Sequence, residues 1–287
     1  MQKIKKAVIP VAGYGTRFLP FTKAVPKAML PIVNRPAVQV VIEEAVAAGI
    51  EEIYLVVGQH KDIIESHFSP ACDLENHLER NGDFRRAEEV KRLNELAKIT
   101  YIVQERQTGT ASAVLCAEKY IDGEPFAVMF GDDVMLSKKP VIGQLTEIYD
   151  RTGRTTIGVK NVGFENVCKY AAVEYDKQDG RIYNAVAITE KPEPGTAKSD
   201  LAPLGRYVFN AGIFDILRSL KPGKNGEYQL TDAFAGEIAS RGINAYLFEG
   251  ERYDMGDVFG YLQANIDFAM LDDGLEKKLK SFIKEKV

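Results

Sequence analysis

Two sets of charged side chains in this sequence stand where they could do chemistry. The first is cationic and lies in "PVAGYGTRFLPFTKAVPKAMLP", residues 10–31, where Gly13, Gly15, Thr16, Arg17, Lys23 and Lys27 follow the apolar run "AVIPV". Glycines let backbone N–H groups approach an anion, and Arg17 and Lys27 add a guanidinium fork and a point charge, a combination suited to phosphate. The second set is acidic: Asp132 and Asp133 close "PFAVMFGDD", and Asp254 lies far downstream in "RYDMGD". Hard carboxylates facing a polyphosphate suit Mg²⁺, which keeps waters and takes phosphate oxygens rather than a full protein cage. Zinc or iron would want nitrogen or sulfur, and His67, Cys72 and His77 match no zinc spacing.

The glycine loop is not one of the two common phosphate loops. A dinucleotide fingerprint would need a third glycine where Phe18 stands, and no GxxxxGK followed by Ser or Thr occurs in this stretch. An NAD-dependent oxidoreductase is therefore a distant alternative. Pro20, Pro26, Pro31 and Pro36 exclude a regular helix, and so long an irregular connection within a compact domain is usually functional.

These side chains need rigid elements behind them. The runs "AVIPV", "EIYLVV", "ITYIV", "FAVMF" and "TTIGV" read as strands, alternating with the helical patterns "PAVQVVIEEAVAAG", "GTASAVLCAEKY" and "PVIGQLTEIYD". That alternation predicts an α/β fold with a mostly parallel, doubly covered sheet. After about residue 160, "KYAAVEYD", "RIYNAVAITE", "GRYVFNAGIF" and "NAYLFEG" read as strands with few helices between them, an antiparallel or mixed addition; the end of the chain reads as helical. No repeat, low-complexity tract or Gly/Ser linker divides the chain. The expectation is one domain over residues 1–287, with a nucleotide-binding half (1–160), a second half (161–256) and a helical segment (257–287).

Composition narrows the function classes. Of 287 residues, 45% are hydrophobic and 27% charged, enough for a large core, and a net charge of −4 argues against general binding to nucleic acid or anionic membrane. Three scattered cysteines without CxxC spacing fit reduced thiols. The N-terminal lysines and short apolar run do not make a signal peptide, and no apolar stretch approaches the roughly 18 residues of a membrane span. A soluble cytoplasmic protein is expected.

"GYGTRFLPFTKAVPKAMLPI" resembles the G-x-G-T-R…P-K signature of the sugar-1-phosphate nucleotidyltransferases, and the likeness continues through "LGRYVF", "EYQLTDA" and "RYDMGD" over nearly the whole chain. The resemblance implies a Rossmann-like doubly wound mixed sheet and transfer of a uridylyl group from UTP to glucose 1-phosphate, with Mg²⁺ and release of pyrophosphate. Another sugar phosphate, dTTP, or a non-catalytic nucleotide-sugar-binding homologue are the alternatives. It also implies roles: Ala12, Gly13, Gly15 and Thr16 around the nucleotide, Gln104 and Gly109 at a pyrimidine base, Asp132 and Asp254 at the metal, with Asp133 as a helper. Arg17, Lys27 and Lys191 would neutralise the reacting phosphates, and Ala171, Glu190, Lys191 and Gly205 would hold the sugar phosphate. Homo-oligomers are common in the family. This chain departs from the usual wording at Ala111-Ser112-Ala113 (Gly-His-Ala), at Ala171-Ala172 within Tyr-Gly-Val, at Lys27-Ala28-Met29 (Lys-Glu-Met) and at Ser199-Asp200 (Ser-Asn).

Overall fold

The computed structural model describes residues 3–223 and 226–286. Its strands, in chain order, are β1 (Lys6–Pro10), β2 (Pro31–Ile32), β3 (Arg35–Pro36), β4 (Glu52–Val57), β5 (Lys98–Val103), β6 (Phe126–Met129), β7 (Asp133–Leu136), β8 (Thr155–Asn161), β9 (Ala171–Asp179), β10 (Ile182–Glu190), β11 (Leu201–Phe209), β12 (Ile243–Leu247) and β13 (Glu251–Asp254). Nine of them form one sheet in the order β5-β4-β1-β6-β11-β8-β12-β10-β9. From β5 to β6 the pairing is parallel; β11 runs antiparallel to β6 and β8, β12 parallel to β8, and β10 antiparallel to β12 and β9. The sheet is thus α/β and mixed, its antiparallel pairs contributed by the C-terminal half.

Period-two alternation explains why the sheet is covered on both faces. Ala7 and Ile9 of β1, with Ile53, Leu55 and Val57 of β4, pack on one side, under the helices Ala37–Ala47 and Val141–Thr152. Val8, Tyr54 and Val56 point the other way, into a second core with Phe126, Phe209, Phe214 and Phe234. Burying each such large side chain fully is worth about 1.5–3 kcal/mol.

The run "GRYVFNAGIF" is not a strand throughout. β11 ends at Phe209 and a helix begins at Ile213, where Ile213, Phe214 and Leu217 turn a helical face into the second core. With Phe234–Ser240, two helices lie in the half where the sequence pattern suggested few. "GTASAVLCAEKY" divides into Thr110–Leu115 and Glu118–Ile121. The helices Cys72–Arg80 and Phe84–Asn94, not foreseen from the sequence, carry mostly exposed polar residues, so no continuous apolar stripe announced them. In the proline-punctuated stretch the backbone makes single 3₁₀ turns at Thr16–Phe18, Phe21–Lys23 and Lys27–Met29, as the prolines require. Among the described residues no helix is long and apolar enough to cross a membrane.

Candidate active site

Loops leaving the carboxyl ends of β1 and β6 border a cleft of about 640 Å³, the edge where open α/β sheets receive ligands. Of the candidate residues named from the sequence, Ala12, Gly13, Gly15, Thr16, Arg17, Lys27, Gln104, Gly109, Asp132, Asp133, Ala171, Glu190, Lys191, Gly205 and Asp254 line it, while Lys23 of the cationic loop does not.

The cationic loop and the two acidic segments meet at one point. Lys27 Nζ lies 2.6 Å from Asp132 Oδ2. Arg17 Nη1 donates to the Gly256 carbonyl (3.2 Å), and Asp254 Oδ1 accepts from Gly256 N–H (2.7 Å). A methyl group on Gly256 would come within 3.2 Å of Asp254 Oδ1, Lys27 Nζ and Arg17 Nη1, so the absence of a side chain there is what lets the three charges converge. Asp132 and Asp254 are held side by side by the Met255 N–H, which donates to the Asp132 carbonyl (2.8 Å), and by the antiparallel pairing of β7 with β13. The Asp132 side chain keeps 46% of its surface open to the cleft. Burial of its surroundings pushes its carboxyl up, but the charge and hydrogen bond of Lys27 outweigh that and hold it below the ordinary carboxylate value.

Behind this point lie groups that sequence reasoning missed. Arg252 pairs with Asp133 Oδ1 (Nε at 2.5 Å), lies 3.5 Å from Asp254 Oδ2 and sits over the Tyr170 ring. Burial pushes the Asp133 carboxyl up, with Arg252 pulling it down and Asp132 and Asp254 adding to the rise. Deeper still, fully buried Arg206 pairs with Glu44 (2.7 Å) and donates to the carbonyls of Phe130, Gly205 and Asp133, bracing the turn that carries Asp132. Glu44 lies in a run of helical apolar residues and Arg206 within an apolar strand. A lone charge in such a run is the available signal for a buried pair, but it does not name the partner. Gly205 adopts φ +64°, and a Cβ there would strike the Asp133 carboxylate, so the residue is glycine for both reasons.

On the predicted base side, Gln104 is 6% exposed at the end of β5, and its Nε2 donates to Ser112 Oγ (2.9 Å). The predicted sugar side is drawn together by the segment after residue 226: Thr231 Oγ1 donates to Glu190 Oε2 (2.9 Å), and Tyr228 exchanges backbone hydrogen bonds with Thr108 and Ala111. Lys191 has φ +42°, donates its backbone N–H to Tyr170 O (2.9 Å), and holds its ammonium 3.8 Å from Glu190 in an open position at the rim. Of the residues outside the site, His67 bonds Gln39 and His77 bonds Asn81, local contacts within or between helices.

The donor set at Asp132 and Asp254 is all oxygen, adjacent and partly open, which fits Mg²⁺. Among the described residues no three His, Cys, Asp or Glu side chains form a metal cage, so a cation held by these two would complete its shell with water and phosphate oxygens.

A cationic loop, paired carboxylates and a cleft at the strand ends of a mixed α/β sheet define a phosphate-handling nucleotide-binding protein. A model of the nucleotidyl transferase family matches residues 6–270, and the chain belongs to that family. It is 45% identical over 285 residues to UTP–glucose-1-phosphate uridylyltransferase 2 of Staphylococcus saprophyticus, covering 99% of each chain. It is 44% identical to the UTP–glucose-1-phosphate uridylyltransferase of Staphylococcus epidermidis, again over 99% of both. Among solved structures, a UTP-bound UGPase from Acinetobacter baumannii superposes with TM-score 0.91 at 34% identity, covering 98% of this chain and 99% of that one. A UDP-glucose pyrophosphorylase complexed with UDP-glucose superposes with TM-score 0.85 at 37% identity, over 94% and 100%.

Proposed function

We propose that this chain is a UTP–glucose-1-phosphate uridylyltransferase, joining the uridylyl group of UTP to glucose 1-phosphate to give UDP-glucose and pyrophosphate. The observation that carries the reading is full-length similarity, at 44–45% identity, to proteins of that name, together with the convergence of Arg17, Lys27, Asp132 and Asp254 in one cleft.

In this reading an oxygen of the sugar phosphate attacks the α-phosphorus of UTP in line with the departing pyrophosphate. A phosphate monoester has its second pKa near ~6, so the nucleophile is already ionised at neutral pH and no general base is required. What remains is positioning and charge neutralisation. Gly13, Gly15 and Thr16, with Ala12, take the triphosphate on backbone and hydroxyl groups. Arg17 and Lys27 neutralise its oxygens, and Lys27 exchanges its Asp132 partner for phosphate. Glu190 accepts from sugar hydroxyls beside Ala171 and Gly205, while Lys191 meets the sugar phosphate. Asp132 and Asp254 would hold Mg²⁺, which would supply Lewis-acid withdrawal of charge from phosphate oxygens. The half-and-half organisation expected from the sequence, nucleotide on residues 1–160 and sugar on 161–256, is consistent with Gln104 and Glu190 lining opposite stretches of chain in one cleft.

We further propose self-association. The helix Val258–Ala269 carries Phe259, Leu262 and Ile266 at helical spacing and exposed at 67%, 50% and 43%, an apolar stripe of the kind that marks an interface.

The test is pyrophosphate release by purified protein with UTP and glucose 1-phosphate in Mg²⁺, with EDTA as control and Asp132→Ala and Asp254→Ala alongside. Magnesium-dependent release, lost in both variants, supports the reading. A protein that binds UTP but releases no pyrophosphate with any sugar 1-phosphate sinks it.

A further inference from the structure

The Ser112 hydroxyl, in the helix Thr110–Leu115, sits at a junction of hydrogen bonds. Ser112 Oγ lies 2.8 Å from the Gly109 carbonyl, 3.0 Å from Thr108 Oγ1 and 2.9 Å from Gln104 Nε2. A serine has one proton to give. The Gly109 carbonyl can only accept, so that proton goes there, and the groups facing the two lone pairs of Ser112 must be donors. Thr108 gives its hydroxyl proton. Gln104 must therefore present its NH₂ to Ser112, which leaves its Oε1 engaged in none of these bonds, on a side chain that lines the cleft. The network settles the orientation of an amide that would otherwise turn over freely.

We infer that Ser112 is a positioning residue that fixes Gln104 as a hydrogen-bond acceptor toward the base and thereby selects pyrimidines bearing a ring N–H, uracil and thymine, against cytosine. The inference deepens the reading of this cleft as a pyrimidine-nucleotide site and rests on it. Uracil and thymine offer N3–H to an acceptor. Cytosine has a lone pair at N3, which would leave two acceptors facing each other in a nearly closed position. Gln104 is 6% exposed, so little water is at hand to relieve the mismatch. A buried site built to receive a hydrogen discriminates against an analogue lacking it far more sharply than a merely apolar pocket does. Gln104 Nε2 also faces the Gly109 carbonyl, but at 3.5 Å against 2.9 Å to Ser112, so the Ser112 hydroxyl is the closer hold on the amide, and without it the amide can turn more readily and offer NH₂ to cytosine.

The measurement is the ratio of kcat/KM for UTP over CTP, with glucose 1-phosphate and Mg²⁺, in the wild type, Ser112→Ala and Ser112→Thr. Ser112→Ala is expected to lower the ratio by roughly tenfold, chiefly through a better CTP reaction, while Ser112→Thr, which keeps the hydroxyl, restores it. dTTP should follow UTP in all three proteins. A ratio within threefold of wild type in Ser112→Ala overturns the inference, as does equal loss on both nucleotides, which would make Ser112 merely structural. Direct titration of UTP and CTP binding by calorimetry separates this from the transferase reading. Selective UTP binding that Ser112→Ala abolishes, in protein with no turnover, would uphold the positioning role and sink the proposed activity.

Discussion

Lys27 Nζ and Asp132 Oδ2 lie 2.6 Å apart, joining the loop after β1 to the turn after β6 across 105 residues of sequence. The pair ties the proposed phosphate cation to the proposed metal carboxylate. Lys27→Met should lower turnover by about a hundredfold or more, since a preorganised charge aimed at a reacting group is worth that much, while unfolding remains cooperative. Steady-state pyrophosphate release beside a denaturant titration checks both parts.

The same pair makes a prediction for pH. Asp132 is held below the ordinary carboxylate value of 3.8, so its contribution to stability is full above that value and is lost as pH falls through the lower folded value. With the carboxylate 46% exposed, solvent screening limits that contribution to about 1 kcal/mol. The stability gap between wild type and Lys27→Met should stay constant while pH remains well above 3.8 and close below it. A gap that widens on acidification would contradict the assignment.

Arg206 and Glu44 form a pair in which the arginine side chain is fully buried and the glutamate 9% exposed. Glu44→Ala leaves a buried guanidinium without its counter-charge and should cost about 3–5 kcal/mol in chemical denaturation. Because Arg206 also donates to the Phe130 and Asp133 carbonyls, the folded fraction of this variant should turn over more slowly than wild type.

Gly205→Ala would place a methyl group against the Asp133 carboxylate at a positive φ of +64°. Asp133 must then move, and with it Arg252, which touches both Asp133 and Asp254. A loss of about 1–3 kcal/mol is expected from the backbone conformation alone, with a larger effect on kcat than the same substitution at Gly180, which shares a positive φ of +57° but has open space around it and lies outside the cleft. Kinetics of the two alanine variants side by side test the difference.

Phe259→Ser with Leu262→Ser removes most of the exposed stripe on the helix Val258–Ala269. Sedimentation should show wild-type protein as an oligomer and the double variant dissociating at equal concentration. A wild-type protein that sediments as a monomer at micromolar concentration would dismiss the interface.

Much of the sheet was legible because its strands are short apolar runs bounded by turn residues, and β1, β4 and β6 coincide with "AVIPV", "EIYLVV" and "FAVMF" almost to the residue. The segment "GRYVFNAGIF" was misread past Phe209 because a buried helix turn and a buried strand look alike over four or five apolar residues. Phe214 and Leu217 are told apart from strand residues only by the core they enter.

The sequence by itself determined the chemistry on offer: which side chains could meet phosphate, which could hold a hard cation, and that prolines would keep the loop between them irregular. Those are properties of residue types and local spacing. The tertiary structure decided which charges neutralise which. That Lys27 meets Asp132, that Arg252 holds Asp133 beside Asp254, that Arg206 finds Glu44 and that Ser112 turns the Gln104 amide are consequences of strand order and close packing. Ion pairs and hydrogen bonds act over a few ångströms of space, and distance along the chain carries no trace of them.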